Sequence, residues 1–161
     1  MPLIQLSTFI KAPVERVFDL SRSIDLHKVS TKHSNEEAVA GVIKGLINLN
    51  ETVTWEANHL FKKRQFTSVI SKMTAPKHFR DEMIDGDFKS FKHDHYFKAA
   101  NGGTIMEDKI VFKSPYNIIG IVFNKIHLTR YLKNLIIKRN ECIKLYAESG
   151  EWKTILNKDY L

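Results

Sequence analysis

Residues Phe88 to Lys113, FKSFKHDHYFKAANGGTIMEDKIVFK, constrain the fold of this chain more than any other stretch. Alternation on either side of Asn101-Gly102 predicts two antiparallel strands joined by a tight turn. Phe91, His93, His95 and Phe97 share one face of the first strand. Ser90, Lys92, Asp94 and Lys98 take the solvent face, with Tyr96 among them. On the second strand Thr104, Met106, Asp108, Ile110 and Phe112 share a face, and Glu107, Lys109 and Lys113 lie outside. A turn centred on Asn101-Gly102 sets Phe97 opposite Met106 and His95 opposite Asp108. Two histidines and an aspartate therefore fall among phenylalanines on an inner face. Burying ionisable groups costs free energy unless they are paired. The hairpin points to a cavity with polar fittings.

The rest of the chain supplies more of the same sheet. Leu3 to Ile10 reads as a strand, followed by a helix from about Val14 to Ser23 whose first turn accommodates Pro13. A second helical piece spans roughly Ile24 to Ser30 and carries His27; a polar loop with His33 follows. Strands are expected over Ala38–Val42, Glu51–Phe61 and Arg64–Met73. Val53, Trp55, Ala57 and His59 share one side, with Phe66, Ser68 and Ile70 facing them. Pro76 ends that run, and Phe79, Asp81 and Met83 then alternate with Arg80 and Glu82. A three-residue loop, Asp85-Gly86-Asp87, sets Phe79 opposite His93 and Asp81 opposite Phe91, with both large apolar groups inside. Ser114 and Pro115 suit a helix start, and Gly120 a break. From there a long helix to about Glu148 carries an apolar stripe of Ile121, Leu128, Leu132, Leu135, Cys142, Ile143 and Tyr146. Arg139 lies within that stripe.

Composition narrows the function classes. A chain of 161 residues, 43% hydrophobic and 27% charged, suits a single domain with a substantial core. It has no run of the roughly 18 apolar residues that a membrane helix needs, and Lys11 interrupts the first apolar stretch, so a cytoplasmic protein without stable membrane insertion is expected. The single cysteine, Cys142, excludes an internal disulfide and a multi-cysteine metal site, and its helical setting reads as a packed thiol. The net charge of +7 is spread among acids, with no arginine-rich tract or nucleic-acid signature, so no nucleic-acid partner is expected. No GxSxG, Walker or dinucleotide glycine motif is present.

Several local motifs accompany this order of elements. They are Gly45-Leu46-Ile47, Glu51-Thr52-Val53-Thr54-Trp55 and His59, then Phe79, Asp81, Gly86, Phe88, His93, His95 and Phe97. Gly103-Thr104, Met106, Asp108, Pro115, Gly120 and Arg139-Asn140 complete them. In element order and motifs the chain resembles the SRPBCC superfamily (START lipid-transfer domains, pollen-allergen-like proteins, polyketide cyclases and dehydratases), and within it a bacterial cyclase/dehydratase-like branch. It departs from that branch at Gly86-Asp87-Phe88, where relatives read Gly-Pro-Phe, and at Leu60-Phe61, where they carry Phe-Gly. The resemblance implies an α+β helix-grip fold: a curved antiparallel sheet of about seven strands wrapped around a long C-terminal helix, with two short helices after the first strand. Residues 1–149 would form one ligand-binding domain and 150–161 a C-terminal extension.

What the resemblance implies about function is the binding of a hydrophobic or amphipathic small molecule. Trp55, Phe66, Phe79, Phe91, Phe97 and Met106 supply apolar walls. His27, His59, Asp81, His93, His95, Asp108 and Arg139 supply polar contacts. His95 with Asp108 reads first as a buried pair that positions strands or ligand. The rival reading is catalytic: a cyclase, dehydratase or isomerase without cofactor, in which His95 or His93 is the general base, Asp108 fixes its tautomer and Arg139 stabilises an enolate. A metal set of His93, His95 and Asp108, with His59 as a further ligand, is a third possibility, and no metal or cofactor is expected. Buried Arg139 needs an acceptor, with Asp81 and Asp108 as the candidates.

Overall fold

The structure is a computed structural model that describes residues 1–59, 62–114 and 121–157. Strand β1 (Leu3–Ile10) leads into helices α1 (Val14–Ser21) and α2 (Ile24–Ser30). Strands β2 (Glu37–Gly41), β3 (Thr52–His59), β4 (Lys62–Thr74), β5 (His78–Asp85), β6 (Ser90–Ala100) and β7 (Gly103–Lys113) follow, then helices α3 (Ile121–Glu148) and α4 (Trp152–Ile155). The strands form one antiparallel seven-stranded sheet in the order β1-β7-β6-β5-β4-β3-β2. This is the expected α+β arrangement of an antiparallel sheet with a long C-terminal helix. No helix among the described residues is long and apolar enough to cross a membrane.

The central hairpin has the predicted register, with His95 opposite Asp108 and Phe97 opposite Met106. Gly102 takes φ +77° in its turn, a conformation that glycine adopts without steric cost. Gly103 is needed for a different reason: a Cβ there would lie 2.2 Å from the Ile10 carbonyl oxygen, where β1 closes onto β7. The inner residues of both strands are buried as the alternation requires.

The β5–β6 register differs from expectation. Phe79 pairs with His95 and Asp81 with His93, two residues further along β6 than a three-residue loop allows. The pairing stops at Glu82 and Lys92. Phe88 folds inward from the connecting segment, with its ring 5.3 Å from that of Phe91 and 5.7 Å from that of Phe112. Packing an aromatic ring there outweighs closing the shorter loop. The inward parity of Phe79 and Asp81 is unchanged, because a shift of two residues preserves the face. Between β3 and β4, Trp55 pairs with Phe66, Val53 with Ser68 and Ala57 with Arg64.

Helix α1 ends at Ser21 rather than Ser23 because Ser23 caps α2, its Oγ accepting a hydrogen bond from Leu26 N at 3.2 Å. The main core lies where α1, the second half of α3 and the sheet meet. There the Phe18 ring stands edge-on to Phe79 and Phe97, at 5.7 and 5.3 Å. Cys142 packs against this core. The tail contributes to it as well: Trp152 and Leu156 are buried, and the Arg16 guanidinium lies 4.3 Å above the Trp152 ring. The expected start at Pro115 and break at Gly120 lie outside the described residues.

Asp94 lies on the outer face as expected, yet it is only 6% exposed. Arg80 donates to both its oxygens, at 2.8 and 2.9 Å, and His78 Nε2 lies 2.7 Å away. Burial raises its pKa, but the bonds from Arg80 and His78 outweigh burial and hold the carboxyl below its ordinary value of 3.8.

Gly103→Ala should lower the unfolding free energy by about 1–3 kcal/mol, as overpacking does, measured by urea denaturation. Asp94→Asn should lose stability at neutral pH. A depressed carboxyl stabilises the fold above its unfolded pKa and ceases to do so as pH falls through the folded value. The wild-type advantage over Asp94→Asn should therefore be full above pH 3.8 and shrink below it, in urea titrations at a series of pH values.

Candidate functional site

Sheet and long helix enclose a cavity of about 700 Å3. Its walls follow from strand parity: Trp55 and Ala57 on β3, Phe66 on β4, Phe79 on β5, Phe91 on β6. Leu128, Tyr131, Leu132, Leu135 and Ile136 line it from α3; of these Tyr131 and Ile136 lie outside the predicted stripe. Exposed Gln65, Asp87 and His127 line it where it meets the surface.

The polar part of the wall comes from Asp81, His93, His95 and Arg139. The two imidazole rings lie against each other, with centroids 3.7 Å apart. Behind them sits Asp108, with no exposed surface. His93 Nε2 lies 2.8 Å from Asp108 Oδ1, a hydrogen bond in which the ring donates to the carboxylate. His95 Nδ1 is 3.1 Å from the same oxygen but makes no hydrogen bond in that direction. Its Nε2 instead lies 2.8 Å from Asp81 Oδ2, on the cavity side. The His95–Asp108 pair expected from the hairpin is thus a contact across the strands, while the hydrogen bond to Asp108 belongs to His93. Register alone does not distinguish the two rings, because both reach the same oxygen.

The electrostatics follow from this geometry. Burial raises the Asp108 carboxyl, but the two histidines beside it outweigh burial and hold it well below the usual carboxylate range. Asp81 shifts the same way: burial raises it, but the hydrogen bond from His95 and the nearby His93 and Arg139 outweigh burial and hold it below its ordinary value. Burial and the adjacent His95 push the His93 pKa down, against the pull of Asp108.

Arg139 finds an expected counter-charge in Asp108, with Nη1 3.6 Å from Oδ1, an ion pair without a hydrogen bond. Its closer bonds run elsewhere, Nη2 to the Ser21 carbonyl at 2.8 Å and Nη1 to Asn140 Oδ1 at 3.2 Å. These contacts turn the guanidinium toward α1 and weaken its case as an enolate stabiliser. Asn140 is the residue that sequence reasoning passed over as a site member. Its Nδ2 donates to Asp108 Oδ2 at 2.6 Å, and its place in the Arg139-Asn140 motif is the signal that could have revealed it.

His27 also reaches the cavity, stacked on Trp55 with centroids 4.1 Å apart and its Nε2 2.6 Å from Glu36 Oε1. His33 is exposed. Phe97 and Met106, expected as walls, are instead in the main core: Phe97 meets Phe18, and Met106 Sδ lies 3.5 Å from Ser21 Oγ. Helix α1 covers their end of the sheet and takes up the surface they would have shown a ligand. Asp108 likewise is shielded from the cavity by the histidines. The His59 side chain lies outside the described residues.

Known structures share this architecture. A protein of Thermus thermophilus superposes with a TM-score of 0.71 at 21% identity, over 92% of this chain and 100% of that one. A START superfamily protein from Mycobacterium smegmatis gives 0.68 at 7% identity, over 91% and 97%. Ginseng major latex-like protein 151, from Panax ginseng, gives 0.66 at 12% identity, over 92% and 98%. No family model and no curated protein matches the sequence. The fold is the START-like helix-grip fold.

Removing the Asp108 carboxylate would leave His93 and Asn140 buried without their acceptor and Arg139 without its counter-charge. Asp108→Ala should therefore cost about 3–5 kcal/mol, as for one partner of a buried ion pair. Glu107→Ala, exposed on the opposite face, should change stability by less than about 0.5 kcal/mol. Paired urea melts would show it.

Proposed function

We propose that the protein binds a hydrophobic or amphipathic small molecule inside the cavity and acts as a binding or carrier protein. The cavity itself carries this reading. Its volume of about 700 Å3 falls within the roughly 300–1,000 Å3 of small-molecule sites. Aromatic and aliphatic side chains supply apolar area for affinity, and the Asp81, His93, His95 and Arg139 group offers polar contacts that orient a head group.

One observation favours a second reading, a cyclase, dehydratase or isomerase that needs no cofactor. With Nε2 committed to Asp108, neutral His93 carries its lone pair on Nδ1, 3.9 Å from Asp81 Oδ2 on the cavity side. That nitrogen has the position of a general base. His95 is less suited, because its cavity-side nitrogen is already engaged by Asp81.

The two readings separate in one experiment. Native mass spectrometry of protein taken from the cells that make it, before and after denaturation, should find a retained small molecule that is released unchanged. A fluorescent fatty-acid analogue should bind in the micromolar range, and Leu132→Trp, which fills the cavity, should weaken it about tenfold or more, equivalent to roughly 1.4 kcal/mol. Conversion of a bound molecule into a product would favour the enzyme. Neither retained molecule nor probe binding would sink both.

A further inference from the structure

The side chains of Asp81, His93 and His95 each bring one metal-ligating atom within 4.8 Å of the other two. The distances from Asp81 Oδ2 are 2.8 Å to His95 Nε2 and 3.9 Å to His93 Nδ1. These bracket the roughly 3.3 Å between donors bound at about 2.0–2.1 Å in a tetrahedron. Asp81 keeps 20% side-chain exposure while the histidines keep 6% and 2%, so the carboxylate is the member free to adjust.

We propose that Asp81, His93 and His95 form a site for a divalent late first-row transition ion of the zinc class, with a coordination position left open toward the cavity. The proposal does not rest on the cavity holding an apolar molecule. Two imidazoles and one carboxylate are a donor set that suits such ions. Strand geometry fixes all three donors: His93 and His95 point the same way as alternate residues of β6, and Asp81 sits directly opposite His93 on β5.

What lifts this trio above a chance cluster is Asp108. Metal-bound histidines characteristically give their other ring nitrogen to a carboxylate, which fixes the tautomer and aims the lone pair. Asp108 stands in that position for His93, hydrogen-bonded to its Nε2 at 2.8 Å, and lies 3.1 Å from His95 Nδ1 without a hydrogen bond. With protons on those two nitrogens, His93 Nδ1 and His95 Nε2 both direct lone pairs toward Asp81. Binding of the ion at Nε2 would place the His95 ring proton on the buried Nδ1, 3.1 Å from Asp108 Oδ1. Arg139 and Asn140 hold Asp108 from the helix side, at 3.6 and 2.6 Å. Two carboxylates flank the rings, and a divalent ion between Asp81 and the imidazoles supplies positive charge that Arg139 alone does not.

Chelator-treated full-length protein titrated with Co2+ should develop one equivalent of the visible absorption of a four- or five-coordinate ion, and Zn2+ should displace it. Asp81→Ala and His93→Ala should each abolish the band. Asp108→Asn should keep the stoichiometry and weaken Zn2+ binding about 10–100-fold. His33→Gln, at an exposed position, should leave the affinity unchanged. Circular dichroism checks that each variant is folded. Should the variants unfold, NMR of the wild type decides: Zn2+ must shift the His93 and His95 ring signals and spare those of His33. No stoichiometric binding of Co2+ or Zn2+ would overturn the proposal. So would binding that Asp81→Ala retains at wild-type affinity, or Zn2+ shifts confined to other histidines. Binding of the fatty-acid analogue is read separately, so failure of one does not entail failure of the other.

Discussion

The burial of the Asp108 carboxylate organises this molecule. An ionised group with no exposed surface survives only where donors replace the water it has lost. Here the partners come from separate elements: hydrogen bonds from His93 on β6 and Asn140 on α3, and the charge of Arg139, also on α3, at 3.6 Å. Arg139 extends the tie to α1 through the Ser21 carbonyl. One carboxylate on β7 thereby fixes where the long helix crosses the sheet. Hydrophobic packing alone would allow the apolar stripe of α3 to slide, since dispersion contacts are not directional. Charge-assisted hydrogen bonds specify both distance and angle.

That anchor lies toward the C-terminal half of α3, and it divides the interior. Beyond it, Ile143 and Ala147 join Phe18, Phe97 and Met106 in a filled core roofed by α1. Before it, Leu128, Leu132 and Ile136 pack against a second buried cluster of Ile4, Phe91, Ile110 and Phe112 and form part of the cavity wall. The same stripe of one helix thus serves as core at one end and as cavity wall at the other. The boundary is drawn by α1, which covers only part of the sheet.

Much of this was legible in the sequence because strand parity is a strict period of two. Parity alone placed Phe91, His93, His95 and Asp108 on the inner face, and the Asn101-Gly102 turn gave their register. Two kinds of information were not legible. Loop length between β5 and β6 depended on Phe88 finding a place between Phe91 and Phe112, a tertiary contact with no local signature. Whether an inward residue meets cavity or core depended on what lies above it. Phe97 and Met106 share the parity of Phe91 and His95 yet belong to the core, because α1 covers them and not the others. Period-two alternation identifies a face; it carries no information on what that face meets.

The arrangement of protons and lone pairs then limits what the site can do. Asp108 occupies the rear nitrogen of His93, so the ring has one lone pair to offer, on Nδ1. A general base and a metal ligand would both use that pair, and it serves one of them at a time. Metal occupancy therefore excludes the proton-abstraction reading at His93. It would replace that reading with a Lewis-acidic centre whose open position faces the apolar walls. The binding reading is indifferent to this choice, because it draws on Trp55, Phe66, Phe79 and the leucines of α3 for affinity and needs from the polar end only a fixed pattern of charge. The buried carboxylate that determines how α3 docks also sets the tautomer of His93, so the fold and the chemistry available at the cavity wall share one determinant.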